Sequence, residues 1–137
     1  MNTLPPIPFN NPAKPISSEA LSIREQWWTK LLDKYDPSLA NLIIACNDAL
    51  YRYDIFTEMP FAYDMELYDE YMNEAVALAL KLSQSLTFLD KQKICVLVTE
   101  VANKFFDSPR GLHIEHDFLK EISEVYQVYY NVKHTKE

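Results

Sequence analysis

The 137-residue sequence contains a single glycine, Gly111. Dinucleotide-binding loops, Walker-type phosphate loops and tight β-hairpins depend on glycine, because it tolerates positive φ and lets the backbone approach a phosphate closely. A Rossmann fold, a P-loop enzyme and a hairpin-rich β protein are therefore disfavoured. Hydrophobic residues make up 48% of the chain, which is enough for one domain to bury its own core. The composition predicts an all-α protein.

Amphipathic periodicity divides the chain into about five helices. They are expected to begin at Ser17 or Ser18, at Asp36-Pro37, at about Ala62, at Thr87 or Asp90 and at about His113; the first ends near Lys34, the third near Ser85 and the fifth near Val132. Ile44 points away from the stripe of Leu42 and Cys46, so we expect the second helix to be buried on more than one side. Short connections favour an irregular antiparallel bundle, formed by a single helical domain at 17–137.

Residues 1–16 hold five of the eight prolines, which predicts an extended Pro-rich N-terminal arm. Leu4, Ile7 and Phe9 would pack this arm against the core of its own domain. A PxxP match within the arm leaves a docking peptide of the polyproline type as the alternative.

The formal net charge is −7. Nucleic-acid binding by counterion release needs a basic surface, and anionic membranes attract basic segments, so neither direct nucleic-acid binding nor membrane binding is expected. A basic protein partner fits this charge better.

Cys46 and Cys95 each lie in an apolar run and are expected to be buried thiols in a reducing compartment. The N-terminus has no signal-peptide pattern, and no apolar run approaches the roughly 20 residues of a membrane span. We therefore expect a soluble cytoplasmic protein.

The negative charge is concentrated in one part of the sequence. The segment from Asp48 to Glu74 holds eight acidic residues and one basic residue, Arg52, so its net charge is −7 and equals that of the whole chain. The remaining residues hold twelve acidic and twelve basic residues and are neutral together. A charge that served only solubility would be spread more evenly. The pattern favours a surface that meets a cation-rich partner.

The predicted third helix separates this segment into two faces. Tyr68 and Tyr71 fall on the apolar face, whereas Glu66, Glu70 and Glu74 follow one another at i, i+4 spacing, where like charges repel by roughly 0.2–0.5 kcal/mol per pair. An uncompensated ladder of this kind favours an interface. The predicted partner-binding residues are Asp54, Glu58, Tyr63, Glu66, Asp69, Glu70, Asn73 and Glu74.

No motif predicts an enzyme or a cofactor site. His113 and Asp117 are at i, i+4 spacing, but the HExxH, EF-hand and paired Glu-x-x-His patterns of metal sites are absent, so a solvent-exposed helix start is expected there. Neither cysteine has a histidine within local reach to activate it. We expect no catalytic residue, metal or other cofactor.

In size, helicity and acidity the chain resembles the immunity proteins of bacterial toxin systems. The Tyr-Tyr-Pro motif of the colicin-DNase subfamily is missing, because Tyr129-Tyr130 is followed by Asn131. The resemblance therefore favours the more diverse immunity proteins of contact-dependent growth inhibition over the colicin-DNase subfamily. The resemblance implies neutralisation of a basic toxin, often a nuclease, by covering its active site or nucleic-acid cleft.

A helical adaptor or self-assembling scaffold protein is the alternative function. Such a protein would associate through an apolar face, for which the region around Trp27 and the N-terminal arm are candidates. Trp28 lies on the predicted core stripe of the first helix, together with Leu21, Leu32 and Tyr35, whereas Trp27 points about 100° away from this stripe.

Overall fold

The computed structural model describes residues 14–53, 55–56, 62–105, 114 and 116–135. Over these ranges the chain forms five α-helices and no strand, which confirms the predicted all-α class. The helices are α1 (Ser18–Leu32), α2 (Pro37–Tyr53), α3 (Met72–Ser83), α4 (Lys91–Phe105) and α5 (His116–Thr135). Most of the predicted arm, residues 1–13, and the turn expected at 107–111 lie outside the described residues. No described helix has the length and apolar character to cross a membrane.

Side-chain caps explain where three of the helices begin. Ser17 Oγ, Asp36 Oδ1 and Asp90 Oδ1 each accept a hydrogen bond from the backbone N–H three residues further on, at 3.2, 3.0 and 2.9 Å. Such bonds satisfy N–H groups that have no partner within the helix. Pro37 follows Asp36 at the first position of α2, where proline loses no helical hydrogen bond.

Helix α2 is the centre of the bundle. It packs against α1, α3 and α5, while α3 also contacts α4 and α4 contacts α5. Every side chain from Leu42 to Tyr53 is buried. This confirms that α2 is covered on more than one side.

The buried face of α1 differs from the predicted stripe. Trp28 is buried as expected, but Leu21, Leu32 and Tyr35 are only half-buried. Arg24 takes part in the buried face instead, with 1% of its surface exposed, because it pairs with a carboxylate of α2. Periodicity alone missed this residue, since a charged side chain does not count toward an apolar stripe.

The third helix begins ten residues later than predicted. Residues 62–71 form a series of turns instead of helix, and α3 starts only at Met72. Glu66 has a φ of 57°, which is incompatible with a right-handed helix. The helical ladder of Glu66, Glu70 and Glu74 therefore does not exist.

The two cysteines also differ from each other. Cys46 is fully buried in α2, as predicted, whereas Cys95 on α4 is half-buried. Burial raises the pKa of the Cys46 thiol well above its ordinary value, and the nearby Asp48 charge adds to this effect.

Candidate functional site

The candidate site is the connection that precedes α3, residues 62–71, which we call the acidic loop. Its backbone is held by short-range hydrogen bonds in which the N–H groups of Leu67 and Glu70 donate to the carbonyls of Ala62 and Leu67, at 2.8 and 3.1 Å. Glu66 is the last residue of the first turn, since its N–H donates to the carbonyl of Tyr63 at 3.2 Å, and its φ lies in the left-handed region. A residue with a Cβ pays about 1–2 kcal/mol for this conformation, so the surrounding contacts must hold it in place.

Tyr68 is the main anchor of the acidic loop. It is completely buried, and its hydroxyl donates to Asp48 Oδ1 on α2 at 2.6 Å, while its carbonyl accepts a 2.8 Å bond from Asn47 Nδ2. Burial raises the pKa of Tyr68 well above its ordinary value, and the Asp48 charge adds to the shift. The phenol therefore stays protonated and remains a donor.

Asp48 also receives the guanidinium of Arg24 from α1. The Nε and Nη2 groups of Arg24 donate to the two carboxylate oxygens of Asp48, each at 3.1 Å, in a bidentate pair. Their side chains are 1% and 3% exposed. The Arg24–Asp48–Tyr68 cluster thus ties two helices and the acidic loop together at one buried point.

Further contacts hold the two ends of the acidic loop. Ala62 and Tyr71 are buried, and the Tyr71 ring packs edge-on against the Phe56 ring, with 5.4 Å between the two ring centres. Tyr63, a predicted partner-binding residue, is half-buried and donates a 2.5 Å hydrogen bond to the carbonyl of Pro15. The ammonium group of Lys14 lies 4.9 Å from the centre of the Tyr63 ring. The segment just before α1 therefore covers much of Tyr63.

The acidic side chains of this loop point to solvent. Asp64, Glu66, Asp69 and Glu70 are all exposed, and residues 62–71 contain no lysine or arginine. None of the four carboxylates forms an ion pair with a described residue. Asp69 alone has a described side-chain partner, because its Oδ2 accepts a 3.1 Å hydrogen bond from the indole N–H of Trp27. The result is a compact anionic surface on a loop with a buried anchor.

Among the remaining predicted site residues, Glu74 does not belong to this exposed surface. Glu74 lies in the first turn of α3 and is only 9% exposed, so it is not a surface carboxylate. Burial raises the pKa of Glu74, its own backbone hydrogen bond opposes the shift, and the Glu70 charge adds to it. Asn73 is exposed on α3. Asp54 and Glu58 lie outside the described residues.

Tertiary contacts change the charge balance within the segment from Asp48 to Glu74. Asp48 is neutralised by Arg24, and the one basic residue, Arg52, pairs with Glu121 of α5 at 2.5 Å, with both side chains almost fully buried. Arg52 also donates to the carbonyl of Lys14 at 3.1 Å. The charge that faces solvent in the described part of this segment therefore belongs to the acidic loop.

Neither a metal site nor a similar protein identifies a function for the described residues. No group of three or more His, Cys, Asp or Glu side chains in the described ranges could hold a metal ion. Asp117 is exposed in the first turn of α5, as expected for a solvated helix start, and His113 lies outside the described residues. Comparisons with protein-family models, curated proteins and solved structures yield no match for this chain.

Proposed function

We propose that this protein binds a basic protein partner through the acidic loop, and that it acts as an immunity protein which neutralises a basic bacterial toxin. One observation carries the proposal: four exposed carboxylates, without a described ion-pair partner, project from a loop that is fixed to the helical core. The carboxylates belong to Asp64, Glu66, Asp69 and Glu70.

The rigid support of the loop favours tight binding. A partner that orders a flexible loop must offset the loss of conformational entropy, roughly 1–2 kcal/mol per residue for the backbone alone. The acidic loop is already held by the buried Tyr68 and Tyr71 side chains and by its turn hydrogen bonds. Most of this entropic cost is therefore met during folding.

The proposed mechanism is electrostatic occlusion. A nuclease lines its active cleft with lysine and arginine to hold phosphates, and clustered carboxylates present the same charge as a nucleic-acid backbone. Complementary charge speeds diffusional encounter and rejects acidic competitors. With the acidic loop seated in the cleft, the substrate of the toxin would be excluded without any chemical step by this protein.

Capture of the partner at two ionic strengths tests the binding step. The Debye length is about 30 Å at 0.01 M salt and about 10 Å at 0.1 M, so a steered complex should form faster and more tightly at the lower concentration. Tagged wild-type protein and a Glu66→Lys/Glu70→Lys variant would be used in parallel on a lysate of the source cell. We expect a basic protein to be retained by the wild type alone.

A matched control separates local from total charge. Glu124 is exposed on α5, which packs against α2 and α4. Glu124→Lys makes the same charge change as Glu70→Lys and should leave partner binding intact. If Glu70→Lys and Glu124→Lys bind the partner equally well, the acidic loop is not the interface.

Co-expression tests the inhibitory function itself. The captured partner would be expressed with wild-type protein or with Glu66→Lys/Glu70→Lys, and colony counts would be compared. We expect wild-type protein to rescue growth and the variant to fail, while circular dichroism shows equal helicity. A partner that is harmless when expressed alone contradicts the immunity function, even if binding is confirmed.

Self-assembly through an apolar face is the second candidate. Leu86 is 94% exposed, and Val96 on α4 and Val128 and Val132 on α5 are each about half exposed. Association through these side chains would change little with salt, because burial of apolar surface carries no charge term. Sedimentation velocity of the protein alone at both ionic strengths distinguishes the two candidates, since only self-assembly predicts oligomers in the absence of a partner.

A further inference from the structure

A groove lined in part by Trp27 has the opposite charge to the acidic loop. One wall is the last turn of α1 with the turn that follows it, the other wall is the last turn of α4, and the floor is the exposed face of α3. The volume of the groove is about 500 Å³. The floor side chains Val76, Ala77 and Leu80 are half-buried. Apolar surface is therefore left open to solvent between two helices.

The charge of the groove departs from the composition of the chain. Acidic residues outnumber basic ones by 20 to 13 in the sequence, yet the groove lining contains three lysines and no acidic residue. The lysines are Lys30 in the last turn of α1, Lys34 in the turn that follows α1, and Lys104 in the last turn of α4. Cationic side chains thus stand on both sides of an apolar floor.

The three ammonium groups lie over aromatic rings. Lys30 is 4.7 Å from the ring centre of Trp27, Lys34 is 5.7 Å from that of Tyr35, and Lys104 is 5.8 Å from that of Phe105. No carboxylate of the described residues pairs with any of them. Contact with an aromatic face leaves the N–H donors available to an incoming anion.

One wall of the groove is fixed in orientation. The indole N–H of Trp27 donates to Asp69 at 3.1 Å, so the Trp27 ring is held between the acidic loop and the groove. Leu31 and Met72 at the base of the groove are buried and cannot move out of it without disturbing the core. The cavity is therefore largely formed before any ligand arrives.

We propose that this groove binds a small amphipathic anion, with a carboxylate, sulfonate or phosphate head on an aliphatic or aromatic body. A volume of about 500 Å³ lies within the roughly 300–1,000 Å³ typical of small-molecule sites. The apolar body packs on the floor of α3, and the head group meets the compact ammonium charges of the walls. This site is distinct from the acidic loop and does not depend on the toxin-inhibition function.

Two fluorescent probes that differ only in charge test the proposal. The anionic probe is 8-anilino-1-naphthalenesulfonate, and the neutral probe is N-phenyl-1-naphthylamine, which has the same rings without the sulfonate. We expect saturable binding of the anionic probe to the native protein, with quenching of tryptophan emission. Decanoate should displace this probe, whereas decylamine should not.

Variants of the lysines locate the site. Lys30→Gln/Lys34→Gln/Lys104→Gln should weaken the anionic probe about tenfold, which corresponds to three exposed charge contacts of about 0.5 kcal/mol each. The neutral probe should bind this variant as it binds the wild type. The matched control changes three exposed lysines elsewhere and should leave both probes unaffected: Lys93→Gln/Lys120→Gln/Lys133→Gln.

A second pair of variants places an acid in the floor. Ala77→Glu and Ala77→Gln add side chains of equal size and differ in charge, so Ala77→Glu should weaken the anionic probe more than Ala77→Gln does. Circular dichroism confirms that each variant is folded.

The proposal is overturned if the anionic probe binds all lysine variants with equal affinity, or if both probes bind equally tightly and independently of charge. It is also overturned if the native protein dimerises and the lysine substitutions in the groove abolish the dimer, because the occupant is then a second copy of the chain.

Discussion

Removal of the Asp48 charge should strongly destabilise this protein. In Asp48→Asn, the amide would keep an oxygen to accept the Tyr68 hydrogen bond but would turn an N–H group toward the guanidinium of Arg24. Two donors would then face each other at a site where Arg24 is 1% exposed and water cannot solvate it. The buried cation would be left without a counter-charge.

The size of this effect follows from the geometry. A unit charge pair about 4 Å apart is worth about 4 kcal/mol at an effective dielectric constant of about 20, and breaking a buried ion pair costs roughly 3–5 kcal/mol. A domain of this kind has a total stability of about 5–15 kcal/mol. With a urea m-value of about 2 kcal/mol/M, the unfolding midpoint of Asp48→Asn should fall by ~2 M.

An exposed ion pair provides the control. Lys81 Nζ and Glu100 Oε1 are 3.3 Å apart, but the two side chains are 36% and 52% exposed, so Glu100→Gln should cost less than about 1 kcal/mol. Equilibrium urea unfolding, followed by circular dichroism, measures both variants. A loss for Asp48→Asn as small as that for Glu100→Gln would refute the assigned role of the pair.

A double variant tests the reason for the loss. Arg24→Met/Asp48→Asn removes the unpaired cation and keeps an unbranched side chain of similar length at position 24. Because the cost of the single variant arises from the buried charge, the double variant should be more stable than Asp48→Asn alone. If the second substitution lowers stability further, desolvation of Arg24 is not the source of the effect.

Three further predictions concern the acidic loop, the buried carboxyl group of Glu74 and the two thiols. Glu66→Gly should stabilise the protein by about 1 kcal/mol, since glycine accepts the φ of 57° without strain, whereas Glu70→Gly should not stabilise it; urea unfolding measures both. The pKa of Glu74 is raised in the folded state, so the contribution of its carboxyl group to stability is greatest below the ordinary pKa of 4.5 and is lost as pH rises through the folded pKa. Glu74→Gln keeps a neutral side chain at every pH. Its free energy of unfolding should therefore exceed that of the wild type at pH 7 but not at pH 4. An Ellman titration should label Cys95 in the native protein and Cys46 only after denaturation, because burial raises the pKa of the Cys46 thiol; native reaction of a Cys95→Ser variant would contradict this.

Much of the helical architecture could be read from local signals. A cap acts over three or four residues, so Ser17, Asp36 and Asp90 indicate helix starts whatever the rest of the fold does. The start of α3 could not be read in this way. Tyr68 and Tyr71 are three residues apart, which fits a helix, but consecutive turns also direct both rings inward.

The sequence indicated where carboxylates are concentrated, but not the backbone shape that carries them. The excess of carboxylates in the segment from Asp48 to Glu74 is a property of the chemical sequence, and the exposed acidic loop falls within it. Periodicity placed Glu66, Glu70 and Glu74 on one helix face. That prediction was wrong, because Glu66 adopts a positive φ and α3 begins at Met72.

The sequence by itself determined the helical class, since one glycine and recurring caps favour helices through interactions only a few residues long. Only the tertiary structure decided which charges remain on the surface. Arg24 and Asp48 are 24 residues apart, and Arg52 and Glu121 are 69 residues apart, yet each pair is buried side by side. Such pairing depends on how the helices pack, and the basic groove of α1, α3 and α4 likewise arises from segments that are distant in the chain.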